Sequence, residues 1–118
     1  MKVAVTIWED RISPLLDAAR RLLVAEYQGS RIVARHEQRV EGLSPLACAE
    51  LLDRLGIQVL ICGGISEFSE RLIRARGIRV LAFTSGRVTD VLSDFLKGRL
   101  EMTTEGAASQ IPSKDISD

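Results

Sequence analysis

The chain has two cysteines, three prolines, one histidine and one tryptophan in 118 residues, and only 4% of its residues are aromatic. Each scarcity excludes something. Two cysteines with no CxxC pair do not build a disulfide framework, a thioredoxin-type redox motif or a structural zinc site. The lone histidine, His36, leaves little material for pairing a nucleophile with a base. With few rings, the core has to be aliphatic. Charge of one sign is also lacking: 16 Lys and Arg balance 16 Asp and Glu. That argues against binding nucleic acid through overall basicity. The local arginines, Arg20-Arg21 and Arg71, Arg74, Arg76, Arg79, read as solvated faces. No apolar run approaches a membrane span. The opening Met1-Lys2-Val3-Ala4-Val5 runs into a strand without signal-peptide architecture, so a cytoplasmic protein with reduced thiols is expected. There is no GxGxxG after the first strand and no GxxxxGK[ST], so neither a dinucleotide nor a nucleoside triphosphate site is indicated.

What remains is strongly patterned. A content of 46% hydrophobic residues supports one α/β domain over residues 1–102. Residues 103–118 hold Ser, Thr, Gly, Pro and acids without periodicity and are expected to form a flexible tail. Lys2 to Ile7 reads as a central strand, and Trp8 to Asp17 as a loop. Ala18 to Arg21 suggests a short helical turn, followed by a strand from Leu22 to Tyr27. After the Gln28-Gly29-Ser30 turn, Arg31 to Val40 alternates as a charged edge strand, antiparallel to its predecessor. A helix capped by Ser44, with Pro45 at its first position, is expected to bury Ala47, Leu51, Leu52 and Leu55. Ile57 to Cys62 is the fourth strand. A helix from Ser66 to Arg76 is expected to bury Phe68, Leu72 and Ala75. Ile78 to Phe83 is the fifth strand, and a third helix carries Val88, Val91, Leu92, Phe95 and Leu96 on one face. The order β-β-β-α-β-α-β-α predicts a mixed five-stranded sheet with helices on both faces, and the first strand in its middle. The connections reverse direction between strands one and four, where a ligand crevice is expected.

Val59-Leu60-Ile61-Cys62-Gly63-Gly64-Ile65-Ser66 ends a buried strand at that crevice with a thiol, two glycines and a helix start. Helix N-termini there favour an anion. Cys62 is either a thiolate ligand for iron or sulfur chemistry or a small core residue. Ser13, Asp17, Gly63, Gly64 and Ser85 sit on the loops that converge with it. Glu9, Asp10 and Asp17 could hold a hard cation, or form a solvated loop with Asp17 capping the turn at Ala18-Ala19. Trp8 walls the pocket or covers the core edge. His36 reads as a partly buried residue on the edge strand, and Cys48 as packing within the first helix.

Lys2-Val3-Ala4-Val5, Arg11-Ile12-Ser13-Pro14-Leu15-Leu16-Asp17-Ala18-Ala19, Cys62-Gly63-Gly64-Ile65 and Ser85-Gly86 stand in a telling order. With Val88, Val91 and Phe95-Leu96-Lys97-Gly98-Arg99-Leu100, they make the chain resemble the dinitrogenase iron–molybdenum cofactor biosynthesis family over about residues 2–100. The resemblance implies a ribonuclease-H-like, three-layer fold. It also implies a non-enzymatic carrier or scaffold for an anionic iron–sulfur or iron–molybdenum cofactor, or its precursor, in nitrogenase-type assembly. Members related to NifX and to the C-terminal domain of NifB do this. Cofactor-assembly proteins are then the implied partners. Cys62 would be the single thiolate on the metal, with Ser13, Asp17, Gly63, Gly64 and Ser85 around the cluster. Leu15 stands where many members place a histidine, so the ligand set is one short. Two other readings follow from the same residues. One is a protein-interaction or regulatory module that no longer binds a metallocluster. The other is a ribonuclease-H-type enzyme, for which the carboxylates are poorly placed.

Overall fold

In the computed structural model, which describes residues 1–98, one sheet carries the whole arrangement. β1 (Lys2–Trp8) lies at its centre. β3 (Arg21–Gln28) and β4 (Arg31–Arg39) extend it on one side as an antiparallel hairpin. β5 (Val59–Ile61) and β6 (Arg79–Leu81) extend it in parallel on the other, giving the order β4-β3-β1-β5-β6. This is the expected order, with β4 at an edge. The strand count is corrected from five to six by β2 (Arg11–Ile12), which folds back on β1 and pairs Trp8 with Arg11. Two residues are too few to show a period. The connecting Glu9-Asp10 also lacks the glycine that marks a tight hairpin. Glu9 takes φ 57 there, a conformation an L-residue rarely adopts.

Pleating sends alternate residues to two cores. Ala4, Leu22, Val24, Leu60, Cys62 and Val80 meet α1 (Pro45–Arg54) and α2 (Glu67–Arg74) on one face. Val3, Val5, Ile7, Leu23, Ile61 and Leu81 meet α3 (Val88–Leu96) on the other. Helices therefore cover both faces.

Ser44 caps α1 by accepting from the Ala47 N–H, with Pro45 at the start as expected. The fully buried stripe of α1 is Cys48, Ala49 and Leu52, while Leu51 and Leu55 are partly buried. On α2 the stripe is rotated from the expected one. Ser69 and Ile73 are buried, whereas Phe68 and Ala75 are exposed. The reason is a polar anchor on Ser69, described below. On α3 the stripe is Val88, Val91, Leu92 and Phe95, with Leu96 turned outward. His36 is exposed on β4 rather than partly buried. The short turn falls at Leu16–Ala18, earlier than expected. The tail expected over 103–118 lies outside the described residues. Among those residues, no helix is long and apolar enough to cross a membrane.

Candidate functional site

The loops after β1, β5 and β6 converge at one end of the sheet, but the expected crevice between β1 and β5 is filled by the chain itself. Ser13 N–H donates to Thr6 O at 2.9 Å, which folds the Ser13-Pro14-Leu15 segment over the strand ends. Gly64 N–H then donates to Pro14 O at 2.7 Å, and Leu16 N–H to Gly64 O at 2.8 Å. Phe83 N–H donates to Gly63 O at 2.8 Å from the far side. The result is a small backbone ladder: Leu15, then the Gly63-Gly64 turn, then Phe83. Gly63 is a glycine for a reason of space. A Cβ there would lie 2.5 Å from Ser13 O and 2.6 Å from Pro14 O.

Asp17 closes the same knot. Its carboxylate accepts from Ser66 N–H at 3.0 Å, from the Ser66 hydroxyl at 3.4 Å and from the Ser69 hydroxyl at 2.5 Å. Ser66 caps α2 by accepting from the Ser69 N–H, and Asp17 braces that cap rather than the Ala18-Ala19 turn. The positive end of the α2 dipole, expected to attract a ligand anion, is occupied by a carboxylate of the chain. The same bond holds Ser69 inward and sets the rotation of α2. A small cleft of about 70 Å³ lies beside it, lined by Asp17, Cys48, Ser69 and Ile73 among others.

Ser13, Asp17, Gly63 and Gly64 are therefore brought together, but chiefly to one another. Ser13 is buried, its hydroxyl 3.4 Å from Leu15 O. Cys62 points the other way, into the α1–α2 core, at 0% exposure. Burial first, then the Glu70 and Asp17 carboxylates, push its thiol up to about 12. Burial and Asp17 also raise Cys48. At neutral pH the buried Cys62 carries its proton, which a metal would have to displace together with the packing around it. Of the two readings of Cys62, its buried place is that of a small core residue, with the backbone of Gly63 and Gly64 at the strand end. Ser85 is exposed on the turn leading to α3.

The pKa of Cys62 has a consequence for stability. Its native value lies above the ordinary thiol value of 9.0. The folded chain holds this proton after the unfolded chain has lost it. The contribution is fully present below pH 9 and is lost as pH rises toward 12, at up to about 1.4 kcal/mol per pH unit. Urea unfolding from about pH 8 to about pH 11 should show wild type losing stability faster than Cys62→Ala. Parallel curves would contradict a buried neutral thiol.

Outside the knot lies a rim of which sequence patterning singled out Trp8 and Leu15 but missed Phe83. Trp8 at the end of β1 is 61% exposed, Leu15 43% and Phe83 80%. Phe83 also holds φ 60, and with Glu9 it is one of two non-glycine positive-φ residues among those described. Two strained residues at the same end of one sheet point to function there. Phe83 was hidden because it continues an apolar strand run and so looked buried. Next to the rim, α3 begins at Arg87, which makes no side-chain cap, and Val88 N–H donates to Asp10 O at 2.8 Å. An open depression of about 430 Å³ adjoins it, with Glu9, Asp10, Arg35 and Arg87 among its walls. Among the described residues no group of three His, Cys, Asp or Glu side chains converges to hold a metal ion.

The family model for the dinitrogenase iron–molybdenum cofactor matches residues 1–98. The chain belongs to that family. No curated protein matches it. Solved structures show the same fold at low identity. PH0822 superposes with a TM-score of 0.79 at 20% identity, covering 84% of this chain and 91% of that one. MJ0327 of Methanocaldococcus jannaschii gives 0.71 at 19%, covering 84% and 90%. The apo form of the orange protein from Desulfovibrio gigas gives 0.70 at 21%, covering 83% and 88%.

Proposed function

We propose that the chain is a non-enzymatic carrier that holds a preassembled anionic iron–sulfur or iron–molybdenum cofactor, or its precursor, against the rim formed by Trp8, Leu15 and Phe83. The observation that carries this reading is the rim itself. Three large apolar side chains, on the chain segments that leave one end of the sheet, are exposed to water, and one of them holds a strained conformation. Exposed apolar groups gathered at one place mark a binding surface. The donor set fits cargo better than a resident cluster, which takes several thiolates. Here both cysteines are buried with raised thiols. Cluster sulfides are weakly hydrated acceptors, suited to apolar contact with a few N–H and cationic groups at the edge. Ser85 and Arg87 would supply those, while the Gly64 backbone, bonded to Pro14 and Leu16, braces the platform. Ser13, Asp17 and Gly63 then act by holding the platform in shape, and Cys62 by filling the core beneath it.

The sole tryptophan sits on the rim and reports on it. Anaerobic titration with isolated iron–molybdenum cofactor should quench Trp8 fluorescence and saturate near one equivalent. Arg87→Glu should weaken binding about tenfold, the cost of turning a charge-assisted contact into a repulsion. An unquenched Trp8 with no cofactor bound would remove the carrier reading. It would favour the second one, a protein-interaction module, for which the same exposed Leu15 and Phe83 would be the contact.

A further inference from the structure

The two edges of the sheet are treated differently. On β6, Arg79 N–H and Leu81 O bond to β5, so Val80 turns its backbone outward. The Arg74 guanidinium donates to Val80 O at 3.1 Å and blocks that edge. β4 has no such guard along its middle. Val40 N–H donates to Arg20 O, so alternation turns the backbone of residues 36 and 38 toward β3 and that of Arg35 and Glu37 outward. Among the described residues no hydrogen bond reaches the outward groups of Arg35 and Glu37. A strand of nine residues with free outward backbone groups is a template for another strand, and its charges bar every partner that does not match them.

We infer that β4 pairs antiparallel with β4 of a second copy, about a two-fold axis at His36. The charge pattern selects both partner and register. Centred on His36, Arg35 faces Glu37 of the partner subunit, and Glu37 faces Arg35 of the partner subunit. Both pairs lie at positions whose backbone groups point outward. Centring on Arg35 sets that arginine against its own copy, and Arg31 against Arg39 of the partner subunit. Centring on Glu37 sets two glutamates face to face, and Arg35 against Arg39 of the partner subunit. Centring on Gln38 also opposes unlike charges, but leaves only residues 37–39 of each strand paired. Centring on Ala34 pairs a segment of the same length but sets its unlike charges, Arg31 and Glu37 of the partner subunit, at the two ends, whereas the axis at His36 sets both unlike pairs beside it at the centre. Glu37 reaches inward to Arg21 of β3 at 2.8 Å on an exposed face, so docking exchanges or shares this exposed ion pair with the partner's arginine.

Sedimentation velocity from micromolar to millimolar concentration, at low salt, tests this. The wild type should dimerise as concentration rises. Arg35→Glu and Glu37→Arg should each weaken self-association by about tenfold or more, since like charges replace both cross-strand pairs. Mixing these two variants should restore a dimer, because one strand then carries two glutamates and the other two arginines. The double variant should dimerise like the wild type. Circular dichroism of each variant confirms the fold, which loses only exposed ion pairs. A wild type that stays monomeric throughout, or single variants that dimerise unchanged, would overturn the inference.

Discussion

Gly63→Ala is expected to lower the unfolding free energy by about 3 kcal/mol or more, the upper range for forcing a methyl into a filled site. The new Cβ would lie 2.5 Å from Ser13 O, 2.6 Å from Pro14 O and 2.8 Å from Pro14 C. All three are backbone atoms, so no rotamer change relieves the clash. The segment is also pinned from both sides, by Ser13 N–H on Thr6 O and by Gly64 N–H on Pro14 O. Relief would need the whole loop to lift from the strand ends. Gly64→Ala is the contrast. Its Cβ would meet Pro14 O at 3.3 Å and the mobile end of the Leu15 side chain at 3.4 Å, which a small shift accommodates at about 1 kcal/mol or less. Urea unfolding of the two variants side by side checks this. Equal losses would mean that the Ser13-Pro14 loop does not bear on Gly63.

Asp17→Ala is expected to cost about 2 to 3 kcal/mol. One carboxylate serves three donors, Ser66 N–H and the hydroxyls of Ser66 and Ser69. Removing it leaves the Ser69 hydroxyl, on a residue 2% exposed, without its acceptor. It also strips the negative charge from the α2 N-terminus. Asp17→Asn keeps an acceptor and loses the charge, so it should fall between. Ser44→Ala, which removes an ordinary cap from α1, should cost about 1 kcal/mol. If Asp17→Ala costs no more than Ser44→Ala, the carboxylate is not what joins the first loop to α2.

These two residues show where the sequence was readable and where it was not. Strand order followed from long runs with a clear period, and from the rule that parallel strands need a crossover. β1, the hairpin and α3 are of this kind. Ser13, Asp17, Gly63 and Gly64 were readable as converging, because loops at parallel strand ends have to meet at the switch point. What they do on meeting depends on directions that no local pattern carries. Asp17 reaches a helix 49 residues further on. A further bond it accepts there, from the Ser69 hydroxyl, holds Ser69 inward and leaves Phe68 outward, against the apolar ranking of the two side chains. Cys62 looked outward because it precedes two glycines, but the pleat assigns it inward with Leu60 to the α1–α2 core. Phe83 escaped notice because a positive φ in an apolar run leaves no mark on composition.

The central claim is that cargo rests on the rim and not on a thiolate. Gel filtration under anaerobic conditions, with iron and molybdenum measured across the protein peak, tests it on three chains. They are the wild type, Cys62→Ala and Phe83→Gly, each mixed with isolated iron–molybdenum cofactor. Phe83→Gly removes the exposed ring and relieves φ 60, so it should fold at least as stably as the wild type. The account predicts stoichiometric co-elution of metal with the wild type and with Cys62→Ala, and its loss in Phe83→Gly. Metal lost from a folded Cys62→Ala but kept by Phe83→Gly would contradict it and return the site to the sulfur.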